Sequence, residues 1–151
     1  MRPAVIAIGN RWRSDDAVGP LTLDAIGRRL PDGVDTTELD GESTRLIDSW
    51  ADRPWVVVVD AVRTGAPPGH LHRIDLSTQS APRSPTNSTH GAGLAEALAL
   101  GAAMDRLPGR LVVLGLEPGS LEVGGPLSPE IEARLPELAD AVLSEVDAAC
   151  A

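Results

Sequence analysis

The chain has 151 residues, a length that suits one domain with a sizeable core. Its 22 acidic and 13 basic residues give a net charge of −9, which argues against a nucleic-acid partner and against binding to an anionic membrane. All the basic residues are arginines, so mechanisms that need a lysine are excluded.

Cysteine content and hydropathy bear on location. The single cysteine, Cys150, cannot form an intrachain disulfide or a multi-thiolate metal site, which predicts a reducing, cytoplasmic location. No apolar run approaches the roughly 20 residues of a transmembrane helix, so no membrane span is expected. The first ten residues resemble a first strand rather than a signal peptide.

Short apolar runs alternate with helical patterns along the whole chain. In chain order we predict a strand at 4–8, a helix at 16–30, a strand at 34–39, a helix at 43–52, strands at 55–59 and 69–76, a loop at 77–88, a helix at 91–107, a strand at 111–116 and a helix from Ser128 to near the C-terminus. The run from Trp55 to Val59 is typical of a central strand and is expected to stop at Asp60. This alternation predicts an α/β fold: a three-layer sandwich with a mostly parallel sheet of about five strands and helices on both faces, forming one domain over residues 1–151.

Three segments with chemically capable side chains are expected at the carboxyl edge of this sheet, where ligands bind in open α/β folds. They are the loop from Gly9 to Asp16, the strand end at Asp60 and the loop-to-helix junction at His90. Two carboxylates and one imidazole can hold a borderline divalent metal and leave a position for water or substrate.

Each of these residues also has a plain structural interpretation. Asp15 or Asp16 can cap the following helix, Asp60 can end its strand, and His90 can face solvent at a helix start. His70 and His72 are expected to share one face of an exposed edge strand, although they could bind a metal. The segment beginning at Glu117 either lines the pocket or forms a turn.

Rival motifs are weak. Residues 41–45 nearly fit the nucleophile elbow of α/β-hydrolases, and Ser43, Asp60 and His90 follow the chain order of such a triad, but Arg45 replaces the second glycine. No dinucleotide fingerprint follows the first strand, and no H-E-x-x-H zinc motif occurs.

Three motifs in order resemble those of the hydrogenase maturation proteases. The first runs from Ile8 to Gly19, the second is Val58–Val62 with Gly65, and the third is Ser88-Thr89-His90; Leu127–Glu130 also resembles the start of the family's last helix. The likeness covers about residues 3–146.

This resemblance implies an endopeptidase, of aspartyl or metal-dependent type, that removes the C-terminal extension of a nickel-loaded hydrogenase large-subunit precursor. The family's metal-contacting and catalytic positions fall on Asp16, Asp60 and His90, with Asp16 where relatives often have glutamate. The nickel would be presented by the substrate, and no organic cofactor is implied. Gly9, Asn10, Asp40 and Gly41 are candidate substrate-binding residues.

Two departures from the family pattern lie near the expected cleft. Arg11-Trp12-Arg13 adds bulk and charge to the first loop, and Glu42 adds an acid where relatives often have a glycine-rich turn. Both bear on which precursor is cut, although the arginines could equally belong to a solvated loop.

The mechanism expected from these residues is metal-assisted peptide hydrolysis, in which the ion positions the peptide, polarises its carbonyl, or does both. A non-catalytic metal-sensing or chaperone-like binder of the precursor would use the same three side chains. A serine hydrolase built on Ser43 is a third alternative.

Overall fold

The computed structural model describes residues 1–76, 87–88 and 93–151, with no side chains described at 87–88. The strands are β1 (Ala4–Ile8), β2 (Asp35–Leu39), β3 (Val56–Arg63), β4 (Leu71–Asp75), β5 (Asn87–Ser88) and β6 (Leu111–Leu116). The helices are α1 (Val18–Ile26), α2 (Ser43–Trp50), α3 (Gly93–Ala103) and α4 (Pro129–Cys150). Short 3-10 turns at Ser14–Ala17 and Gly27–Arg29 flank α1.

The sheet has the strand order β2-β1-β3-β6-β4, and β5 pairs separately with β3. The pairs β1–β2, β1–β3 and β3–β6 are parallel, whereas β4 runs antiparallel to β6 at one edge. The predicted sheet of about five mostly parallel strands is confirmed. The three inner strands β1, β3 and β6 are buried along nearly their whole length, which their continuous apolar runs predict.

Two hydrophobic clusters cover opposite faces of the sheet. Helices α1 and α4 pack on one face, where Ile26 and Val142 meet Val57 and Leu114. Helices α2 and α3 pack on the other face, where Trp50 and Leu94 join the cluster of Val58. Side chains alternate along each strand, so every inner strand contributes to both clusters. The predicted three-layer sandwich is therefore observed.

Several predicted boundaries are wrong: the helix predicted to end at residue 107 ends at Ala103, and two further differences bear on the site. Strand β3 continues through Asp60 to Arg63, because Ala61 pairs with Leu116 of β6 and Val62 pairs with Ser88 of β5. The predicted loop at 77–88 contains β5 at its end, a two-residue strand of polar residues without a hydrophobic pattern, and residues 77–86 lie outside the described part of the chain.

Candidate active site

The site is built at the carboxyl edge of the parallel strands. Helix α1 begins tightly against this edge, because a Cβ atom at Gly19 would lie 2.5 Å from the carbonyl oxygen of Ile8 and 2.6 Å from that of Val59. The last residue of β1 and the residue preceding Asp60 in β3 therefore both meet the first turn of α1. Glycine is required here, since any side chain would push the helix away from the strand ends.

Asp16 lies in the 3-10 turn before α1 and is fully buried. Its Oδ2 accepts a hydrogen bond from the backbone N–H of Asn10 at 3.0 Å. The close packing of Gly9 places this turn beside the end of β1, since a Cβ atom at Gly9 would lie 2.1 Å from the carbonyl oxygen of Asp16. Gly9 and Asn10, which we predicted to bind substrate, form the frame that positions Asp16.

Asp60 lies inside β3, opposite Gly115 of β6, and is fully buried. Its Oδ1 accepts a hydrogen bond from the backbone N–H of Ala61 at 2.8 Å. Val58 and Val62, two residues away on either side, belong to the cluster beneath α2 and α3. Strand alternation therefore places the carboxylate of Asp60 on that same face, between these two valines.

His90 lies outside the described residues. Ser88, two residues earlier, pairs with Val62, two residues beyond Asp60. Gly93, three residues later, packs so closely on the loop after β2 that its Cβ would lie 2.2 Å from the carbonyl oxygen of Gly41. Within residues 1–76 and 93–151, no three metal-ligating side chains form a group that could hold an ion. This range does not include His90, the third predicted ligand.

Asp15 does not cap α1, and neither does Asp16, so the capping alternative is wrong. The buried carboxylate of Asp15 instead accepts bonds from the backbone N–H groups of Gly119 (2.7 Å), Ser120 (2.8 Å) and Ser128 (2.7 Å), and from the Ser128 hydroxyl (2.6 Å). Four donors satisfy most of the accepting capacity of a carboxylate. Asp15 thus fastens the β6–α4 loop, residues 117–128, to the loop that carries Asp16.

Four further bonds join this β6–α4 loop to the β1–α1 loop, residues 9–17, and in one of them the backbone N–H of Asp15 donates to the carbonyl oxygen of Ser120 at 3.0 Å. The Ser14 hydroxyl donates to the carbonyl oxygen of Glu122 at 2.7 Å, and the N–H of Gly124 donates to that of Trp12 at 2.6 Å. The guanidinium of Arg13 donates to the carbonyl oxygen of Leu121 at 3.3 Å. Ser14 adopts a left-handed conformation with φ of 45°, which non-glycine residues seldom adopt and which is common near functional sites.

Arg11 is exposed to solvent, as the solvated-loop alternative expects, but its side chain is held by ion pairs. Its guanidinium donates two bonds to Asp24, at 2.7 and 2.9 Å, and its Nε and Nη2 donate to Glu38. Hydrogen bonds to these two carboxylates raise the pKa of Arg11 far above its usual value. The start of the β1–α1 loop is thereby tied to both α1 and β2.

The other predicted substrate-binding residues, Asp40 and Gly41, follow β2. Asp40 is exposed, and its carboxylate accepts bonds from the Glu42 N–H and from Arg45, which hold its pKa below the usual range. Glu42 caps α2 by accepting bonds from the N–H groups of Thr44 and Arg45. The Thr44 hydroxyl, with these N–H groups, lowers the pKa of Glu42 to about 2. The departure at Glu42 therefore has a structural role.

Ser43 does not have the geometry of a nucleophile elbow. It is a buried first residue of α2, whereas the elbow needs its serine in a strained turn between a strand and a helix. The non-glycine residues with positive φ in the described part of the chain are Ser14, Asp52 and Asp105. The backbone thus disfavours a serine nucleophile at this position.

Glu117 is neither exposed nor part of a simple turn. The Thr64 N–H donates to both of its carboxylate oxygens, at 2.9 and 3.0 Å, and the Thr64 hydroxyl and His72 Nε2 lie 2.8 and 3.0 Å from Oε1. His72 is on edge strand β4 as predicted, but it is mostly buried, whereas His70 precedes the strand and is exposed. Sequence reasoning missed this network, because His72 and Glu117 are 45 residues apart.

Comparison with known proteins identifies a family. Residues 35–145 match the family model of the hydrogenase maturation protease HycI. The hydrogenase 2 maturation protease of Escherichia coli is 30% identical over 95% of this chain and 90% of its own. A hydrogenase expression/formation protein of Thiocapsa roseopersicina is 32% identical over 87% of this chain, which spans 61% of that relative's length. The structure of the hydrogenase maturating endopeptidase HybD of E. coli aligns with a TM-score of 0.80 at 27% identity, over 97% of this chain and 93% of HybD. The chain therefore belongs to the hydrogenase maturation protease family, a family of peptidases.

Proposed function

We propose that the chain is an endopeptidase that removes the C-terminal extension of a nickel-loaded hydrogenase large-subunit precursor. The observation that carries the proposal is the pair of fully buried carboxylates, Asp16 and Asp60, at the carboxyl edge of strands β1 and β3 in a member of this family. Buried carboxylates need polar or ionic partners, and two of them at one edge of the sheet can share a divalent metal ion as such a partner.

The chemistry of these side chains fits the proposed nickel ion. Carboxylate and imidazole groups are common ligands of borderline divalent metals. A backbone N–H holds one oxygen of each carboxylate, from Asn10 for Asp16 and from Ala61 for Asp60, and this fixes the orientation of both groups. We propose His90 as the third contact; the positions of Ser88 and Gly93 at the same edge support it. Three protein contacts leave room for a metal that the precursor carries.

In the proposed reaction the substrate's ion orients the tail and makes its carbonyl carbon more electrophilic. A water molecule adds to that carbon, the C–N bond breaks, and the water's protons end on the new carboxyl and amino termini. Asp16 and Asp60 recognise the loaded precursor by contacting the ion. Cleavage would then follow metal insertion.

The test compares nickel-loaded with metal-free precursor and follows the tail by mass spectrometry. We expect wild-type protein to shorten only the loaded precursor, and Asp16→Asn and Asp60→Asn variants to shorten neither. Ser43→Ala is the matched control and should retain activity, since Ser43 is a helix-start residue. Equal trimming of both precursors would refute the metal dependence, and a stable complex without trimming would identify a binder.

We also propose that the protein acts in the cytoplasm, because its one cysteine, the exposed Cys150, is compatible with a reducing compartment. Among the helices of the described residues, none is long and apolar enough to cross a membrane. Fractionation of cells with a cytoplasmic marker tests the proposal.

A further inference from the structure

The most exposed aromatic side chain lies on the loop that carries Asp16. Trp12 is 76% exposed, whereas Trp50 is fully buried and Trp55 is 8% exposed. Val123, on the β6–α4 loop, is 80% exposed. The N–H of Gly124 donates to the carbonyl oxygen of Trp12, so these two apolar side chains are on directly bonded loops. We call Trp12 and Val123 the apolar rim.

The rim is joined to the candidate site through one residue. The side-chain oxygen of Asn10 accepts a bond from the N–H of Trp12 at 2.9 Å, while the N–H of Asn10 donates to the carboxylate of Asp16 at 3.0 Å. Trp12 therefore precedes Asp16, a proposed metal contact, by four positions in the sequence, and both residues are hydrogen-bonded to Asn10. The β1–α1 loop thus carries both a proposed metal contact, Asp16, and the exposed indole of Trp12.

The exposure of Trp12 does not come from a loose loop. Arg11 beside it is bound to two carboxylates, and Asp15 and Ser14 are bonded to the β6–α4 loop. A side chain on a held backbone loses little conformational entropy on binding, and tryptophan has only two side-chain torsions to fix. Exposed tryptophans with these properties are often dominant contacts in interfaces.

We propose that the apolar rim binds a bulky aliphatic or aromatic side chain of the substrate's extended tail, next to the bond that is cleaved. This inference rests on the proposed function and adds a specificity-determining residue to it. Two side chains offer far less than the roughly 800 Å² per partner of a stable interface, so the rim suits one residue of a bound segment rather than a second copy of this chain. A second copy would also bring a like net charge of −9.

The kinetic test uses the nickel-loaded precursor from the same organism. We expect Trp12→Ala to raise KM about tenfold with kcat nearly unchanged, because the lost contact is made equally in the bound and reacting states. Trp12→Phe should recover most of the affinity. Met104→Ala is the matched control, because Met104 is also an exposed apolar residue, 49% exposed. It follows α3, next to the segment whose Arg106 carbonyl oxygen accepts a bond from Trp50, and not on the loop that carries Asp16. The KM of this variant should match that of the wild-type protein.

A second measurement does not require cleavage. Because Trp12 is the one highly exposed tryptophan of the three, acrylamide quenching of fluorescence reports mainly on it. Adding saturating nickel-loaded precursor to the wild-type protein, which keeps both proposed metal contacts, should protect this component, and the component should be absent from Trp12→Phe. An unchanged KM in Trp12→Ala, or unchanged quenching at saturating precursor, would refute the proposal that the apolar rim binds the substrate's tail. Failure of wild-type protein to trim the precursor would instead count against the proposed function, whatever the quenching shows.

Discussion

Two neighbouring aspartates have different tasks. The sequence offers Asp15 and Asp16 as equivalent candidates, but the structure gives Asp15 four donors from the β6–α4 loop and gives Asp16 a backbone donor at the end of β1. This distinction depends on contacts with residues more than a hundred positions away, which no local pattern encodes. The resemblance to the family motif selected Asp16, whereas residue spacing alone did not.

The first prediction concerns Asp15. Replacing it with alanine leaves three backbone N–H groups without their acceptor, so Asp15→Ala should lower the free energy of unfolding by about 3 kcal/mol. Urea titration followed by circular dichroism measures the change. Asp140→Ala removes an exposed carboxylate that lies 3.6 Å from Arg29, and it should change stability by less than about 0.5 kcal/mol. Similar losses in both variants would show that Asp15 is not the clamp between the loops.

The second prediction concerns Glu117 and pH. Burial raises the pKa of Glu117, but hydrogen bonds from Thr64 and His72 together outweigh it and place the pKa below its ordinary value of 4.5. Because the folded pKa is the lower one, the stabilisation is complete above the unfolded value and is lost as pH falls below it towards the folded value.

Glu117→Gln removes this titration, so the variant should lose less stability than wild type between about pH 6 and about pH 3.5. Urea unfolding at each pH measures the difference. Glu137→Gln, at an exposed ion pair with Arg134, should retain the wild-type pH dependence. A pH dependence in Glu117→Gln identical to wild type would contradict the assignment.

At the level of elements, α1 sets the position of the site. Its start packs on the ends of β1 and β3 through Gly19, so Gly19→Ala should separate the helix from the strand ends. We expect a loss of about 1–3 kcal/mol from overpacking, together with reduced trimming of the precursor. Gly27→Ala, just after the same helix, meets no atom within 4 Å and should be neutral or stabilising by up to about 1 kcal/mol. Equal effects of the two substitutions would show that close packing at Gly19 is unimportant.

The elements differ in how far sequence predicts them. Strands β1 and β6 follow from uninterrupted apolar runs and were predicted to the residue. Strand β3 was predicted too short, since a carboxylate usually ends a buried strand, whereas here Asp60 is accommodated inside it opposite Gly115, which has no side chain. Strand β5 has only two polar residues, and its pairing partner is supplied by the tertiary fold.

At the scale of the molecule, stability should be graded across the sheet. Every residue of β1 and β6 is buried, whereas edge strand β2 alternates between partly buried and exposed positions. We therefore expect the hydrogen-bonded amides of β1, β3 and β6 to exchange with deuterium only through global unfolding, and those of β2 and β4 to exchange faster. Native-state exchange measured by NMR tests this ranking; protection of β2 equal to that of β3 would contradict it.

The donors that Asp15 meets follow it by 104, 105 and 113 positions along the chain. During synthesis, a ribosome-bound fragment can contain both proposed metal contacts, Asp16 and Asp60, long before Ser128 has been translated. Until then the carboxylate of Asp15 has no native donors, and the loop beside it is not fastened. Competence to cut another protein should consequently arise only after Ser128 has been translated, which would protect the cell from premature hydrolysis by shorter nascent chains.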